Sequence, residues 1–219
     1  MADGSFGINS RNRVKRGHNR ALYDEATVYG ILDSHFLCHV SFEIEGQPHI
    51  IPTCHWREGN KLYWHGSSKS MMIRHLAMGN PAAVSVTHLD GLVLARSAFS
   101  TSVNYRSVIC YGMPELVTDE AEFDRQMELF FEMLAPGRWP QLRPMTDQER
   151  KATGLLVMEI EDAAAKVRAA PPGDPEEAEY PVWAGVVPLA TNQLQPQAAP
   201  EGERASLNYG LMPAYDWNK

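Results

Sequence analysis

The stretch from residue 36 to residue 65 constrains the fold most, because its apolar residues recur at every second position. In the segment CHVSFEIEG, Val40, Phe42 and Ile44 alternate with polar side chains, and Gly46-Gln47 follows as a turn. Alternation with a period of two is typical of a strand with one buried face. The segments HIIPTCHW and LYWHG repeat the strand signal on either side of a second turn. The sequence therefore predicts an antiparallel meander.

The strand LYWHG leads directly into a turn of small residues and then into a helix. Gly66, Ser67 and Ser68 form the turn, Lys69 follows it, and the spacing predicts a helix over Ser70–Met78. Unpaired N–H groups at a helix start, the helix dipole and a lysine ammonium together suit a phosphate group. The alternative is that a serine here simply caps an ordinary helix.

Further helices interrupt the strand pattern. They begin at three candidate N-caps, Asp24, Thr118 and Thr146. The remaining predicted strands are 82–88, 92–99, 104–111, LLVMEIE and VWAGVVPL. The first two are predicted to pair as a hairpin across Leu89-Asp90-Gly91, and the last is predicted to be buried. About seven antiparallel strands with three or four helices predict a mainly β fold with α insertions, arranged as a barrel.

Composition limits the classes of function. Lys plus Arg is 20 and Asp plus Glu is 27 of 219 residues, a net charge of −7, which argues against nucleic acid as a partner. The three cysteines are widely spaced and match neither a disulfide framework nor a zinc pattern, which favours a reducing compartment. The sequence contains no run of ~18 apolar residues and no signal-peptide core. We therefore expect a cytoplasmic protein that does not engage a membrane.

Eight histidines raise the question of a metal site. His49 and His55 share one strand face but lie about 20 Å apart at ~3.3 Å per residue. No carboxylate or cysteine completes a ligand set, so no metal is predicted. His65 directly precedes the Gly66-Ser67-Ser68 turn, so its imidazole would lie close to a molecule whose phosphate occupies that turn. The alternative is a strand-end histidine that hydrogen-bonds to the backbone.

Several segments, in a fixed order along the chain, carry a further signal. They are RALYD, HGSSKS with its following helix and NP, THLDGLVLARSAF, SVNYRSVICYG, AAKVRAAPP and PVWAGVVPL. From about Arg16 to Leu189 the chain resembles the FMN-binding split-barrel proteins related to pyridoxamine 5′-phosphate oxidase, specifically the nitroimidazole-resistance (Nim) branch. The resemblance implies a six-stranded antiparallel Greek-key split barrel that forms a homodimer, with FMN sites at the interface.

The resemblance also implies a division of the chain and a set of cofactor contacts. Residues 1–15 are predicted to be a flexible arm, 16–192 the FMN-binding split barrel and 193–219 a C-terminal extension. Ser67, Ser68 and Lys69 would hold the FMN phosphate. The other implied flavin contacts are Ile51, Pro52 and Thr53 along the ring, Trp64 on the next strand, Arg106 and Ser107 from the partner subunit, and Trp183 closing over the flavin. Lys166 and Arg168 are additional candidates.

The chain departs from pyridoxamine phosphate oxidases proper in two motifs. Those enzymes carry a Thr-Asn-Tyr-x-Ser-Arg-Lys phosphate loop and a C-terminal Arg-x-Trp, whereas this chain has HGSSKS and no such C-terminal motif. Oxidation of vitamin B6 is therefore not predicted. The resemblance favours an FMN-dependent oxidoreductase that reduces a small aromatic or nitro compound, with His65 as the catalytic residue. The alternative is a carrier that holds flavin or haem without turnover.

Overall fold

The computed structural model describes residues 4–197 and 199, which form ten β-strands and four α-helices. The strands are β1 (Ala21–Leu22), β2 (Leu37–Ile44), β3 (Gln47–Glu58), β4 (Lys61–Ser67), β5 (Ala82–Leu94), β6 (Ser102–Gly112), β7 (Pro114–Leu116), β8 (Thr153–Glu159), β9 (Asp162–Arg168) and β10 (Gly185–Pro188). The helices are α1 (Glu25–Asp33), α2 (Met71–Leu76), α3 (Glu120–Leu134) and α4 (Asp147–Ala152).

The described strands form one antiparallel sheet in the order β1-β9-β6-β5-β2-β3-β4-β8-β7, and β10 pairs with β5 outside this path. The first part of β3 pairs with β2 and its last four residues pair with β4, so this strand joins the two parts of the sheet. The mainly β fold with α insertions is confirmed. The prediction of about seven strands was too low, and the hydrogen-bonded path of the described sheet ends at β1 and β7 without closing.

The main core lies on one face of this curved sheet and is covered by α1 and α2. Its fully buried members include Val28, Leu32, Val40, Trp64, Leu76, Val84, Cys110 and Leu156. Burial of an aliphatic or aromatic side chain of this size stabilises the fold by roughly 1.5–3 kcal/mol. The apolar residues whose alternation predicts β2 therefore also face the main core.

A second apolar cluster lies on the opposite face of β3, β4 and β8, beneath α3. It consists of Trp56, Tyr63, Phe123, Met127, Phe130 and Leu155. The Trp56 Nε1–H donates to Gln126 Oε1 over 2.7 Å, and the Gln126 amide donates to Glu58 and Glu122 at 2.9 and 3.0 Å. Because the fully buried Gln126 side chain is satisfied, α3 is fixed to β3 without an unpaired polar group.

The predicted hairpin across Leu89-Asp90-Gly91 is wrong, because β5 runs unbroken through these residues. A register shift against β6 lies between Leu89 and Gly91, which is the signature of a bulge. A Cβ on Gly91 would approach the Val186 side chain and the Val187 carbonyl oxygen to 3.1 Å. The glycine is therefore needed for the close approach of β10 and not for a turn.

Four strands differ from the prediction. β1, β7 and β9 were not predicted, because β1 has two residues, β7 has three and β9 is rich in alanine, a weak strand former. The last strand was predicted to be buried, but β10 lies at the side of β5, and Val187 and Leu189 are exposed. An apolar run of this length does not by itself tell a central strand from a covering one.

The described part of residues 1–15, which were predicted to be a flexible arm, packs against the rest of the chain. Phe6 is 8% exposed and belongs to the main core, and Asn12 is 3% exposed. The Asn12 amide donates to the Gly7 and Ala163 carbonyls, and Arg11 forms salt bridges with Glu161 and Asp162. Polar composition alone does not reveal such anchors. Most of the predicted C-terminal extension over 193–219 lies outside the described residues.

Among the described residues, no helix has the length and apolar character needed to cross a membrane.

Three histidines gather where the end of α1 meets the sheet. His55 is 1% exposed and its Nε2 lies 3.2 Å from the Leu32 carbonyl oxygen, while the His88 Nε2 lies 3.2 Å from that of Ile31. The rings of His35 and His88 are 5.2 Å apart. Burial lowers the pKa of His55 and that of His35 to about 4, so both imidazoles are neutral at pH 7.

Acid should therefore destabilise the fold through His55. Because the folded-state pKa lies below the ordinary 6.5, the unfolded chain binds more protons, and stability falls as the pH drops from 6.5 towards 4. By pH 5 the loss from this group is about 2 kcal/mol. Urea unfolding at pH 7 and pH 5 should show a smaller difference for His55→Gln than for wild type. The exposed His18→Gln variant serves as control, and equal differences in all three proteins would contradict the assignment.

Candidate functional site

The predicted phosphate turn leaves the end of β4 and is tied to the chain segment that precedes β8. The Ser68 Oγ–H donates to the Lys151 carbonyl over 2.9 Å, and the Ser68 N–H donates to the Ala152 carbonyl over 2.8 Å. The Lys69 N–H lies 3.3 Å from the Ser67 hydroxyl oxygen. Ser67 and Lys69 are exposed, and Lys69 forms no salt bridge with any described residue. The turn thus holds a free cation on a fixed backbone.

The helix after the turn is shorter than predicted. It spans Met71–Leu76 and not Ser70–Met78, and the Ser70 side chain accepts a hydrogen bond from the Ile73 N–H. Ser70 is therefore the N-cap, as the alternative interpretation of a capping serine predicted. Its hydroxyl oxygen accepts a hydrogen bond from one of the free helix N–H groups. An anion on this turn would depend on the hydroxyls and the ammonium of Ser67–Lys69.

Two neighbouring residues of β4, Trp64 and His65, point to opposite faces of the sheet. The Trp64 ring is fully buried in the main core, and its Nε1–H has no hydrogen-bond partner among the described residues. Its ring is therefore not accessible to a flavin at the surface, and a cofactor contact of Trp64 would have to use the backbone. The predicted flavin contact of Trp64 is therefore not made by its ring.

His65 points toward the cluster beneath α3. Its ring centroid lies 4.7 Å from that of Phe130 and 6.0 Å from that of Trp56, both in aromatic contact. The buried His65 Nδ1 has no hydrogen-bond partner among the described residues. Burial lowers its pKa, so the imidazole is neutral at pH 7. The alternative interpretation, a histidine that hydrogen-bonds to the backbone, therefore does not hold for Nδ1.

The predicted ring-binding segment lies on β3, where it pairs with β2. Ile51 is half-buried against the main core, Pro52 is exposed and Thr53 is half-buried. His39 lies opposite Pro52 in the register. Of these three residues, Pro52 presents its side chain to the outer face of the sheet.

The residues predicted to contribute across a dimer lie elsewhere in the same chain. The guanidinium of Arg106 donates to both carboxylate oxygens of Asp90, at 3.0 and 2.9 Å, and the Ser107 hydroxyl donates to the Lys166 carbonyl over 3.3 Å. Strands β5 and β2 separate β6 from β3, a distance of about 14 Å at ~4.8 Å per strand. One chain therefore does not bring Arg106 and Ser107 to the β3 segment.

Two other predicted contacts differ in availability. Trp183 is 63% exposed at the start of β10, so its ring is free to cover a ligand. Arg168 is 8% exposed and donates to the Asn104 side chain and to the Ala170 and Pro171 carbonyls, which leaves it with a structural role.

Beside the predicted phosphate turn lies a cleft that the sequence does not predict. We call it the α3–α4 cleft. It has a volume of about 430 Å³ and lies between the start of α3, α4 and the strands β7 and β8. Leu116 and Phe123 form apolar walls, Arg150 lies over Phe123, and Lys151 and Thr153 line the side toward the turn. These residues are far apart in sequence, so no local motif announces the cleft.

Among the described residues, no group of three His, Cys, Asp or Glu side chains is placed to hold a metal ion. The His35, His55 and His88 group fails because two of its rings already bond to α1 carbonyls.

Known proteins of similar structure share this arrangement over most of the chain. The flavocytochrome Anf3 from Azotobacter vinelandii is 40% identical, with a TM-score of 0.83, covering 93% of this chain and 94% of its own. A FAD and haem binding protein from Mycobacterium smegmatis is 35% identical, with a TM-score of 0.79, covering 89% and 94%. A protein assigned to 5-nitroimidazole antibiotic resistance from Bacteroides thetaiotaomicron is 19% identical with a TM-score of 0.57, covering 67% and 86%, which shows a shared fold.

A comparison with curated proteins gave no match. A family model described as pyridoxamine 5′-phosphate oxidase matches residues 24–167, which is more than half of the chain. This span contains β2–β8 and nearly all of β9, together with the Ser67–Lys69 turn. The predicted family is confirmed, and the chain belongs to the pyridoxamine 5′-phosphate oxidase family.

Proposed function

We propose that this protein is a flavin-binding oxidoreductase whose flavin phosphate is held by Ser67, Ser68 and Lys69. The observation that carries the proposal is the similarity, at 40% and 35% identity over nearly the whole chain, to a flavocytochrome and to a FAD and haem binding protein. FMN was predicted, and both FMN and FAD carry the phosphate that the turn would hold.

The turn suits a phosphate for reasons of charge and rigidity. Lys69 is exposed and supplies the cation, and Ser67 supplies an exposed hydroxyl. The two hydrogen bonds from Ser68 to the Lys151 and Ala152 carbonyls hold the backbone in place, so little ordering is needed on binding. When bound, a flavin supplies the hydride and electron chemistry, and the chain supplies position and electrostatics. The expected substrate is a small aromatic or nitro compound.

His65 keeps its proposed role beside the reacting molecule. It lies two residues before Ser67, and neutral at pH 7 it has an unpaired ring nitrogen available to a proton or a hydrogen bond. The rings of Trp56 and Phe130 fix its orientation. Access to His65 would have to come from the turn side, because α3 covers the cluster.

Haem binding is the second candidate, and the same two similar proteins favour it, since both names include haem or cytochrome. The observation in this chain is the buried, unpaired Nδ1 of His65 within aromatic side chains, since haem sites are apolar and histidine is a common iron ligand. The alternative to an enzyme is a carrier that holds flavin or haem without turnover.

We also propose that the chain forms a homodimer through the outer face of β2, β3, β5 and β6. Ile50 is 65% exposed and lies next to Ser41, which pairs with Ala83 on β5. Ile109 is 41% exposed beside Ser85. Small and apolar side chains on adjacent strands favour close contact with a second sheet.

The absorption spectrum tests the cofactors. Purified protein, or protein incubated with flavin and haem, should show the flavin band near ~450 nm, and a Soret band if haem is bound. Reduced pyridine nucleotide should bleach the flavin band, and a nitroaromatic compound should restore it. A colourless protein that takes up neither cofactor would contradict the proposal, and a flavin band that nothing bleaches would indicate a carrier.

Substitution of Lys69 tests the phosphate contact. Lys69→Ala should weaken flavin binding tenfold to a hundredfold, because a charged hydrogen bond contributes ~1.5–3 kcal/mol. Isothermal titration of the apoprotein measures the change, and the melting temperature should stay at the wild-type value. Lys61→Ala, an exposed lysine at the other end of β4, should bind flavin as wild type does. Unchanged affinity in Lys69→Ala would exclude this placement of the phosphate.

Substitution on the exposed sheet face tests the dimer. Ile50→Glu places a charge in the proposed interface, so light scattering should report a monomer in place of a dimer. Met78→Glu, at a residue 72% exposed beyond α2, should leave the mass unchanged. A wild-type monomer that binds flavin fully would contradict the proposed interface.

A further inference from the structure

The α3–α4 cleft has the size and the lining of a site for a nucleotide. Its volume of about 430 Å³ lies within the roughly 300–1,000 Å³ typical of small-molecule pockets. One wall is apolar and includes Leu116 and the ring of Phe123, whereas the rim carries hydroxyl and charged groups. Such a mixture suits an adenine ring joined to a ribose and a phosphate.

The cleft adjoins the turn that is proposed to hold the flavin phosphate. Ser67 pairs with Thr153 in the register of β4 and β8, and Thr153 lines the cleft. The Ser68 hydroxyl donates to the carbonyl of Lys151, a second lining residue. A group that continues beyond a phosphate on the turn would therefore reach the mouth of the cleft within a short distance.

The charged side chains that line the cleft are two basic ones, Arg150 and Lys151, and two acidic ones, Glu120 and Asp147. Lys151 is exposed and forms no salt bridge with any described residue, so it is available to a second phosphate. Arg150 is held by Asp124 and lies with its guanidinium carbon 5.5 Å from the centroid of Phe123. Glu120 also lines the cleft, and a carboxylate is the usual acceptor for ribose hydroxyls in dinucleotide sites.

We propose that the α3–α4 cleft binds the adenylate half of FAD, with Lys151 on the adenylate phosphate. The inference rests on the proposed binding of a flavin phosphate at Ser67–Lys69. It makes FAD, and not FMN, the flavin that this chain selects, since FMN ends at the turn and leaves the cleft without a ligand.

The selectivity between FAD and FMN tests the assignment. Titration of wild-type apoprotein should give a dissociation constant for FAD at least tenfold lower than that for FMN. Lys151→Glu should raise the constant for FAD tenfold or more and leave that for FMN within twofold. Thr118→Trp, which fills the cleft from an exposed position of its lining, should have the same selective effect. Lys61→Glu, outside the cleft, should change neither constant.

The outcomes separate this inference from the proposed function. Lys69→Ala should weaken FAD and FMN alike, whereas the two cleft variants should weaken FAD alone. Equal wild-type affinity for FMN and FAD, or unchanged FAD affinity in both cleft variants, would overturn the adenylate site while flavin binding stands. If the wild-type protein binds neither flavin, the proposed function fails and this inference fails with it.

Discussion

The register of β3 against β4 is the constraint on which the rest of the structure depends. The pairs His55–Trp64 and Trp56–Tyr63 place successive side chains on opposite faces, and a packed cluster lies on each face. A slip of one residue would move Trp64 into the cluster beneath α3 and His65 into the main core. The main core would then lose Trp64 and the cluster beneath α3 would lose Tyr63, so the two cores determine the register together. The same register fixes the position from which the Ser67–Lys69 turn leaves the sheet.

Features determined by nearby residues could be predicted from the sequence. The caps at Asp24 and Thr146 and the strands β2 to β4 depend on contacts within a few positions, and they were predicted close to their bounds. Gly91 was misinterpreted because its close neighbour, Val187, comes from a strand nearly a hundred residues later. Asn12 was taken for part of a flexible arm because its carbonyl partner, Ala163, lies 151 positions later in the sequence.

The candidate site divides in the same way. The Ser67–Lys69 turn could be predicted because the strand, the turn and the helix cap are contiguous in the sequence. The helix N–H groups were predicted to be available to an anion, but Ser70 accepts a hydrogen bond from one of them. The Trp64 ring is buried because α2 and β8 pack against β4 in the main core, which no spacing within β4 reveals. Arginine is a common phosphate ligand, which made Arg106 a candidate. Its actual partner, Asp90, can be identified only when β5 and β6 are paired.

The hydrogen bonds from Ser68 to residues 151 and 152 give the short helix α4 an influence beyond its size. This six-residue helix relies on the reciprocal hydrogen bonds between Thr146 and Glu149 at its start, since a helix of this length is unstable alone. Its last residues provide the carbonyls that hold the turn. Fraying of α4 would loosen a loop some eighty positions away in sequence and raise the entropic cost of ordering it around an anion. The folding equilibrium of one helical turn is thereby coupled to the rigidity of the Ser67–Lys69 turn.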